Sequence, residues 1–133
     1  MTRDLILVVE DNEANQMLAR AVLELEGFEV RVAGDTDEAR RHLREARPSL
    51  ILMDLQLPGQ DGLSFTRELR GEPQTRSIPI VALTAHAMTG DRGTAIQAGC
   101  TGYIAKPIDT HTLGAEVRKF MNGHAGEDRE RVS

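Results

Sequence analysis

The hydrophobic positions of the chain form two kinds of segment that alternate along its length. Short apolar runs, rich in branched side chains, are typical of strands that are covered on both faces of a sheet. Longer segments in which apolar residues recur every three or four positions predict amphipathic helices. The predicted strands lie at Leu5–Val9, Phe28–Ala33, Leu50–Met53, Ile80–Leu83 and Gly102–Ala105.

A segment with helical periodicity or helix-end signals follows each predicted strand. Asp35–Glu38 has the pattern of a capping box at a helix start, and Gly27 stands where a helix commonly ends. The first helix is predicted from apolar residues at helical spacing, which are Ala14, Met17, Leu18, Ala21, Val22 and Leu25. The later helices are predicted around Leu63–Leu69, at 91–98 with Gly93 weakening it, and at 110–121 with Gly114 inside it.

Strict alternation of five strands with five helices predicts an α/β fold with one parallel sheet. Parallel strands need crossover connections, and each crossover helix must bury its apolar stripe against the sheet. Polar and apolar residues alternate in Phe28–Ala33, which places this strand near an edge of the sheet. We expect one domain over residues 1–123, followed by a polar, flexible tail at 124–133.

Polar residues follow four of the predicted strands directly. Glu10 and Asp11 follow the first strand, Asp54 the third, Thr84 the fourth and Lys106 the fifth. In an open parallel sheet, ligands bind at the carboxyl ends of the strands. The pattern therefore predicts three carboxylates, a hydroxyl and an ammonium at one edge of the sheet.

Three carboxylates in one place require compensating positive charge. At about 4 Å and an effective dielectric near 20, each like-charged pair costs roughly 4 kcal/mol. Lys106 balances one charge of the three, and a hard divalent cation would offset the rest. Mg²⁺ is the natural candidate, because it accepts carboxylates, waters and phosphate oxygens as ligands. Such a site is suited to accept a phosphoryl group on a carboxylate.

The composition argues against other classes of function. The net charge of −5, without a cluster of basic residues, disfavours nucleic-acid binding. No apolar run approaches the roughly 18 residues that a membrane span needs, and no signal peptide is recognisable. The single Cys100 suits a reducing cytoplasm and is expected to be a small buried apolar residue.

Four segments together carry a family resemblance over about Leu5–Met121. They are Val9–Asn12, Leu52–Gly62, Val81–Ala85 and Gly102–Pro107. In this order they resemble the receiver domain of two-component response regulators. The resemblance implies the flavodoxin-like strand order 2-1-3-4-5. Within the family, the chain is most similar to stand-alone receivers of the bacterial cell-cycle type (DivK-like) or to the receiver of a hybrid histidine kinase.

The resemblance also implies roles for the residues that match its motifs. Asp54 would accept the phosphoryl group and bind Mg²⁺, or Mn²⁺ in its place, together with Asp11 and the carbonyl oxygen of Gln56. Glu10 would act on the metal through water. Lys106, in a cis peptide bond with Pro107, would pair with the phosphoryl oxygens.

A switch and a set of partners are further implications of the resemblance. Thr84 would donate its hydroxyl to the phosphoryl group, and Tyr103 would swing between exposed and buried positions. The expected donor is a phosphohistidine on a histidine kinase or a histidine phosphotransfer protein. The expected output is a protein partner that binds the surface of the fourth helix, fifth strand and fifth helix. His86 is a candidate for setting the lifetime of the phosphoryl group, and a solvated loop position is the alternative.

Alternative functions differ at particular residues. A phosphatase of the haloacid dehalogenase type needs a second carboxylate two residues after the nucleophile, where this chain has Gln56. A pseudo-receiver that is never phosphorylated tends to lose an acidic residue, whereas the acidic set here is complete. We therefore expect that this protein is not a classical enzyme and that it catalyses only its own phosphorylation and dephosphorylation.

Overall fold

Five parallel strands form one sheet in the computed structural model, which describes residues 3–85 and 91–121. The spatial order is β2-β1-β3-β4-β5, as the family resemblance implied. The strand with alternating polarity, β2, is at an edge of the sheet, as predicted. The strands are β1 (Leu5–Val9), β2 (Glu29–Ala33), β3 (Leu50–Asp54), β4 (Ile80–Thr84) and β5 (Gly102–Ala105).

A helix follows each strand, so the fold alternates as the sequence predicts. The helices are α1 (Glu13–Leu25), α2 (Thr36–Glu45), α3 (Gly62–Arg70), α4 (Asp91–Ala98) and α5 (Leu113–Met121). The predicted capping box forms in part, since the Asp35 carboxylate accepts a hydrogen bond from the Glu38 amide at 2.8 Å. The Glu38 carboxylate in turn accepts from the amide of Gly34 at 2.8 Å.

The sheet separates two hydrophobic cores, because successive side chains of a strand point to opposite faces. In β3, Ile51 and Met53 face one core, while Leu50 and Leu52 face the other. The first core is closed by α2, α3 and α4 through Ala39, Phe65, Leu69 and Ala95. The second is closed by α1 and α5 through Ala19, Leu23, Leu113 and Val117. This is the three-layer arrangement expected of the fold.

The buried face of α1 differs from the apolar spacing that predicted the helix. Ala19 and Leu23 are fully buried, whereas Met17 and Leu25 are 71% and 89% exposed. Apolar residues occur on two faces of this helix, so periodicity gives the helix but cannot choose the face that packs. The last helix also begins later than residue 110, because Asp109 first closes a turn through its backbone carbonyl and the amide of Thr112.

Several smaller predictions have an outcome in the structure. Cys100 is buried and free, as expected. Gly114 lies at the contact between α5 and α1, where a side chain would collide with Glu26. In the described parts of the chain, no helix combines the length and the apolar character that crossing a membrane requires. His86 and the predicted tail at 124–133 lie outside the described residues.

Candidate functional site

The strand register brings the polar strand ends together. Val9 of β1 pairs with Met53 of β3, so the next residues, Glu10 and Asp54, are level across the two strands. Asp54 pairs with Leu83, and Thr84 pairs with Ala105. The carboxyl ends of β1, β3, β4 and β5 therefore form one continuous edge, and each predicted polar residue stands on it or directly after it.

The three predicted carboxylates lie close together at this edge. Glu10, Asp11 and Asp54 each offer a carboxylate oxygen, and these oxygens all lie within 4.8 Å of one another. Glu10 and Asp54 are almost completely buried, at 1% and 2% exposure, while Asp11 is exposed. The acidic cluster thus has a buried floor and opens to solvent at Asp11.

Lys106 supplies positive charge to the buried part of the cluster. Its Nζ lies 3.0 Å from Oδ2 of Asp54, to which it donates a hydrogen bond, and 3.3 Å from Oε1 of Glu10. Burial by itself lowers the pKa of Lys106. The hydrogen bond to Asp54 and the charges of Asp54 and Glu10 outweigh burial, so this pKa lies above its ordinary value. Lys106 therefore stays an ammonium, and its bond to Pro107 is cis.

The surroundings of Glu10 disfavour its ionised form. Burial raises the pKa of Glu10, and the neighbouring Asp54 raises it further. The amide of Asn12 and the Lys106 ammonium act in the opposite direction without cancelling the rise. Within the described residues, Oε1 of Glu10 is buried and accepts no hydrogen bond, although the Lys106 ammonium lies at ion-pair distance. A cation or its bound water would satisfy this oxygen.

The donor set fits Mg²⁺. All the donors are carboxylate oxygens, which are hard ligands of the kind that Mg²⁺ prefers. In the described part of the chain, one buried oxygen of Glu10 accepts no hydrogen bond, and the Lys106 ammonium pairs with two of the three carboxylates. The residues present therefore match the chemistry of a magnesium site.

The loop after β3, residues 55–61, is fixed at both ends next to Asp54. Oδ1 of Asp54 accepts a hydrogen bond from the Gln56 amide at 2.9 Å. The amide of Gly62 donates to the carbonyl of Leu55 at 3.2 Å and closes the loop. A Cβ atom on Gly62 would lie 2.9 Å from Cα of Leu55 and still closer to the carbonyl oxygen of Asp54. Only glycine allows α3 to begin this close to the acidic cluster.

The loop after β1, residues 10–12, is fixed by its own helix. The side chain of Gln16 donates to the carbonyl of Glu10 at 2.5 Å, and Asn12 caps α1 by accepting from the amide of Asn15. The amide of Glu10 donates to the carbonyl of Ala33 at 2.9 Å. Gln16 is not among the residues predicted for the site. Its position one turn after the Asn12 cap is the sequence feature that could have indicated a contact with the loop.

The two predicted switch residues lie on adjacent strands near the cluster. Thr84 is buried at the end of β4, and its carbonyl accepts a hydrogen bond from the Lys106 amide at 2.8 Å. Tyr103 is half-buried and packs against the core closed by α2, α3 and α4. The backbone thus connects the lysine and threonine positions directly.

A five-stranded parallel sheet of this order, with clustered acids and a lysine at its carboxyl edge, defines a receiver-type signalling domain. The sequence matches the response regulator receiver domain over residues 6–118. The chain therefore belongs to the response regulator receiver domain family and functions in two-component signalling.

Relatives of this chain occur both as response regulators and as parts of sensor kinases. The polar-differentiation response regulator DivK of Brucella anthropi is 40% identical over 116 residues, which cover 87% of this chain and 94% of that protein. The receiver domain of a sensor histidine kinase of Pseudomonas aeruginosa, with a magnesium ion coordinated in its active-site cleft, is 40% identical. It has a TM-score of 0.82 and covers 91% of this chain and 99% of that one.

A more distant relative has the same fold. The chemotaxis response regulator CheY4 of Vibrio cholerae is 27% identical with a TM-score of 0.84, over 90% of this chain and 99% of that one. Response regulators are signalling proteins rather than classical enzymes, so membership of this family disfavours the phosphatase alternative.

Proposed function

We propose that Asp54 is the phosphoryl acceptor of this receiver domain. The observation that carries the proposal is the buried Asp54 carboxylate, which lies 3.0 Å from an ammonium and within 4.8 Å of carboxylate oxygens from two further acidic residues. An oxygen of Asp54 attacks the phosphorus of a phosphohistidine, and the P–N bond breaks as its electron pair returns to the imidazole. The product is an acyl phosphate on Asp54.

The cluster would hold Mg²⁺ through Asp11, Asp54 and the carbonyl oxygen of Gln56, with Glu10 acting through water. Bound Mg²⁺ supplies positive charge that offsets the carboxylates and the transferred oxygens. Mn²⁺ has similar oxygen ligands and is the expected substitute. Lys106 is held by Asp54 and Glu10 before phosphorylation, and it pairs with a phosphoryl oxygen afterwards.

The switch would follow from the charge of the new group, which carries about two negative charges and three acceptor oxygens. Thr84 donates its hydroxyl to one of these oxygens, and Tyr103 turns inward as Thr84 moves. The equilibrium between two conformations of the surface formed by α4, β5 and α5 then shifts. A downstream protein that binds this surface reads the change.

The phosphodonor in this proposal is a histidine kinase or a histidine phosphotransfer protein, in the cytoplasm, where the free thiol of Cys100 is stable. The receiver unit is proposed to extend over residues 1–123. The favoured function is that of a DivK-type receiver, which signals by binding another protein. A receiver within a hybrid kinase is the second, supported by the 40% identity to a sensor-kinase receiver.

Phosphoryl transfer from acetyl phosphate in the presence of Mg²⁺ tests the proposal. We expect the intact protein to gain the mass of one phosphoryl group, and we expect Asp54→Asn to gain none while keeping its fold by circular dichroism. Asp61→Asn is the matched control, because Asp61 is a carboxylate of the same loop whose helix-capping role Asn can fulfil.

Continued labelling of Asp54→Asn would overturn the assignment of the acceptor. A wild-type protein that stays unlabelled with Mg²⁺ present would instead favour a pseudo-receiver.

A further inference from the structure

Arg40 of α2 connects three parts of the molecule through one guanidinium group. Its Nε and Nη2 form a two-pronged ion pair with Glu68 of α3, at 2.9 and 2.8 Å. Nη2 also donates to Oε1 of Gln60 at 2.6 Å, in the middle of the loop that follows Asp54. Its Cζ atom lies 5.0 Å from the centre of the Phe65 ring, at the distance of a cation–π contact.

Gln60 also contacts Glu68, so Arg40, Gln60 and Glu68 are each hydrogen-bonded to the other two. Its amide nitrogen donates to Oε1 of Glu68 at 3.2 Å while its oxygen accepts from Arg40. Both polar atoms of the Gln60 side chain are therefore used, and both connect the loop to helices α2 and α3. The hydrogen bond to Arg40 lowers the pKa of Glu68, so the pair stays ionised at neutral pH.

Within residues 3–85 and 91–121, the middle of this loop has few other restraints. Its ends are held by Asp54, Leu55 and Gly62, and Leu57 is buried. Pro58 and Gly59, however, are exposed, and an open cleft of about 460 Å³ separates them from the start of α2. Arg40 spans this cleft.

We propose that Arg40 is a positioning residue for the phosphoacceptor loop. It acts through Gln60 to hold residues 55–61 in the conformation that presents the Gln56 carbonyl to the metal. This inference rests on the proposed function of the acidic cluster, since it assigns the loop a task in magnesium binding. The hydrogen bonds and ion pairs of Arg40 go to Thr36, Asp37, Gln60 and Glu68, and none of them reaches the carboxylates of the cluster.

The alternative is a purely structural ion pair between α2 and α3. Pairs that are about one-third exposed, as Arg40 and Glu68 are, add little stability on average. A structural pair would change the free energy of unfolding without changing the affinity of the folded protein for Mg²⁺. A positioning residue changes that affinity as well, and it changes the exchange of the loop amides in metal-free protein.

The chain offers a matched control for this distinction. Arg118 of α5 also forms an ion pair across two helices, with Glu26, and also lies 5.0 Å above an aromatic ring, that of Phe28. Its contacts are at the end of α1, and none of its hydrogen bonds reaches the loop. Arg118→Met therefore removes an ion pair between elements without touching residues 55–61. Arg40→Met also removes contacts of Arg40 with Thr36 and Asp37 at the start of α2, which the second variant described below leaves in place.

The experiment compares Mg²⁺ affinity, by titration calorimetry, and amide hydrogen exchange over residues 55–61 in the full chain. We expect Arg40→Met to lose about threefold to tenfold in Mg²⁺ affinity, at or below the lower end of the loss that follows removal of an outer-shell partner. We expect faster exchange in the loop without metal. Arg118→Met should match the wild type in both measurements.

Gln60→Ala is the second variant, because it removes the loop contact and leaves the ion pair between Arg40 and Glu68 intact. It should reproduce the loss of Mg²⁺ affinity although that ion pair stays in place. The inference would be overturned if Arg40→Met and Gln60→Ala both matched Arg118→Met in loop exchange and in Mg²⁺ affinity. A wild-type protein that does not bind Mg²⁺ would overturn the proposed function instead, and loop exchange would still decide the role of Arg40.

Discussion

The two loops that carry the acidic residues are fixed in different ways. The loop after β1 is three residues long, 10–12, and its restraints include Asn12 and Gln16, which are close in sequence. The loop after β3 spans residues 55–61, and its middle is held from α2 by Arg40, 20 positions away from Gln60. A short loop can be fixed by its own helix cap, whereas a longer one depends on side chains from other elements.

The largest expected effect concerns the point where the second loop meets α3. Gly62→Ala places a methyl group against the backbone of Asp54 and Leu55, which cannot move without moving the acceptor itself. We expect a loss of about 2–3 kcal/mol in the free energy of unfolding, typical of overpacking in a dense region. We also expect loss of detectable Mg²⁺ binding, measured by calorimetry on folded protein.

Gly93→Ala is the control for this substitution, since a Cβ atom there meets no other atom within 4 Å. In a helix interior it should raise the unfolding free energy by up to about 1 kcal/mol. If Gly62→Ala were tolerated as well as Gly93→Ala, the close approach of α3 to the acceptor strand would be wrong.

An intermediate effect is expected in the first loop. Gln16→Ala removes the hydrogen bond to the Glu10 carbonyl and should cost about 1 kcal/mol of unfolding free energy in denaturant titrations. A smaller decrease in Mg²⁺ affinity should accompany it, because Glu10 and Asp11 lose a restraint. The neighbouring Met17→Ala is the control and should be neutral, since Met17 is 71% exposed. Equal values for the two variants would show that the helix cap alone fixes this loop.

The smallest expected effect is a pH dependence at the Arg40 contact. The pKa of Glu68 lies below its ordinary value of 4.5, because the folded state stabilises the ionised form. Its contribution to stability is therefore complete above pH 4.5 and disappears as the pH falls through the lowered pKa. The unfolding free energies of wild type and Glu68→Gln should differ at neutral pH and converge in acid.

Glu72→Gln is the control for this measurement, because Glu72 is an exposed carboxylate that lines a surface groove together with Arg40 and Glu68. Arg40 pairs with Glu68 and Asp37, so Glu72→Gln removes a carboxylate without removing either ion pair. A constant difference for Glu68→Gln across the acidic range would contradict the ion pair.

The two loops also show which features of the molecule could be predicted from its sequence. The alternation of strands and helices followed from local pattern, and so did the gathering of Glu10, Asp11, Asp54 and Lys106 after the apolar runs. The strand order came from the family resemblance, because local periodicity does not encode which strands pair.

Contacts between distant segments could not be predicted in this way. Arg40 has the pattern of a solvated helix residue, and only the packing of α2 against α3 brings it to Gln60. Similarly, the apolar residues Met17 and Leu25 have helical spacing but face solvent, because α1 packs through Ala19 and Leu23. Which face of a helix is buried depends on the neighbouring elements as well as on the spacing of its own residues.

Beryllofluoride binding followed by fluorine NMR tests the central claim most directly, because this phosphoryl mimic requires an acceptor carboxylate, a metal and a nearby ammonium together. With Mg²⁺ present, we predict bound fluorine resonances for the wild type, and their loss in Asp54→Asn or after chelation of the metal. Resonances that persist in Asp54→Asn, or a wild type that binds no beryllofluoride with Mg²⁺ supplied, would contradict the account.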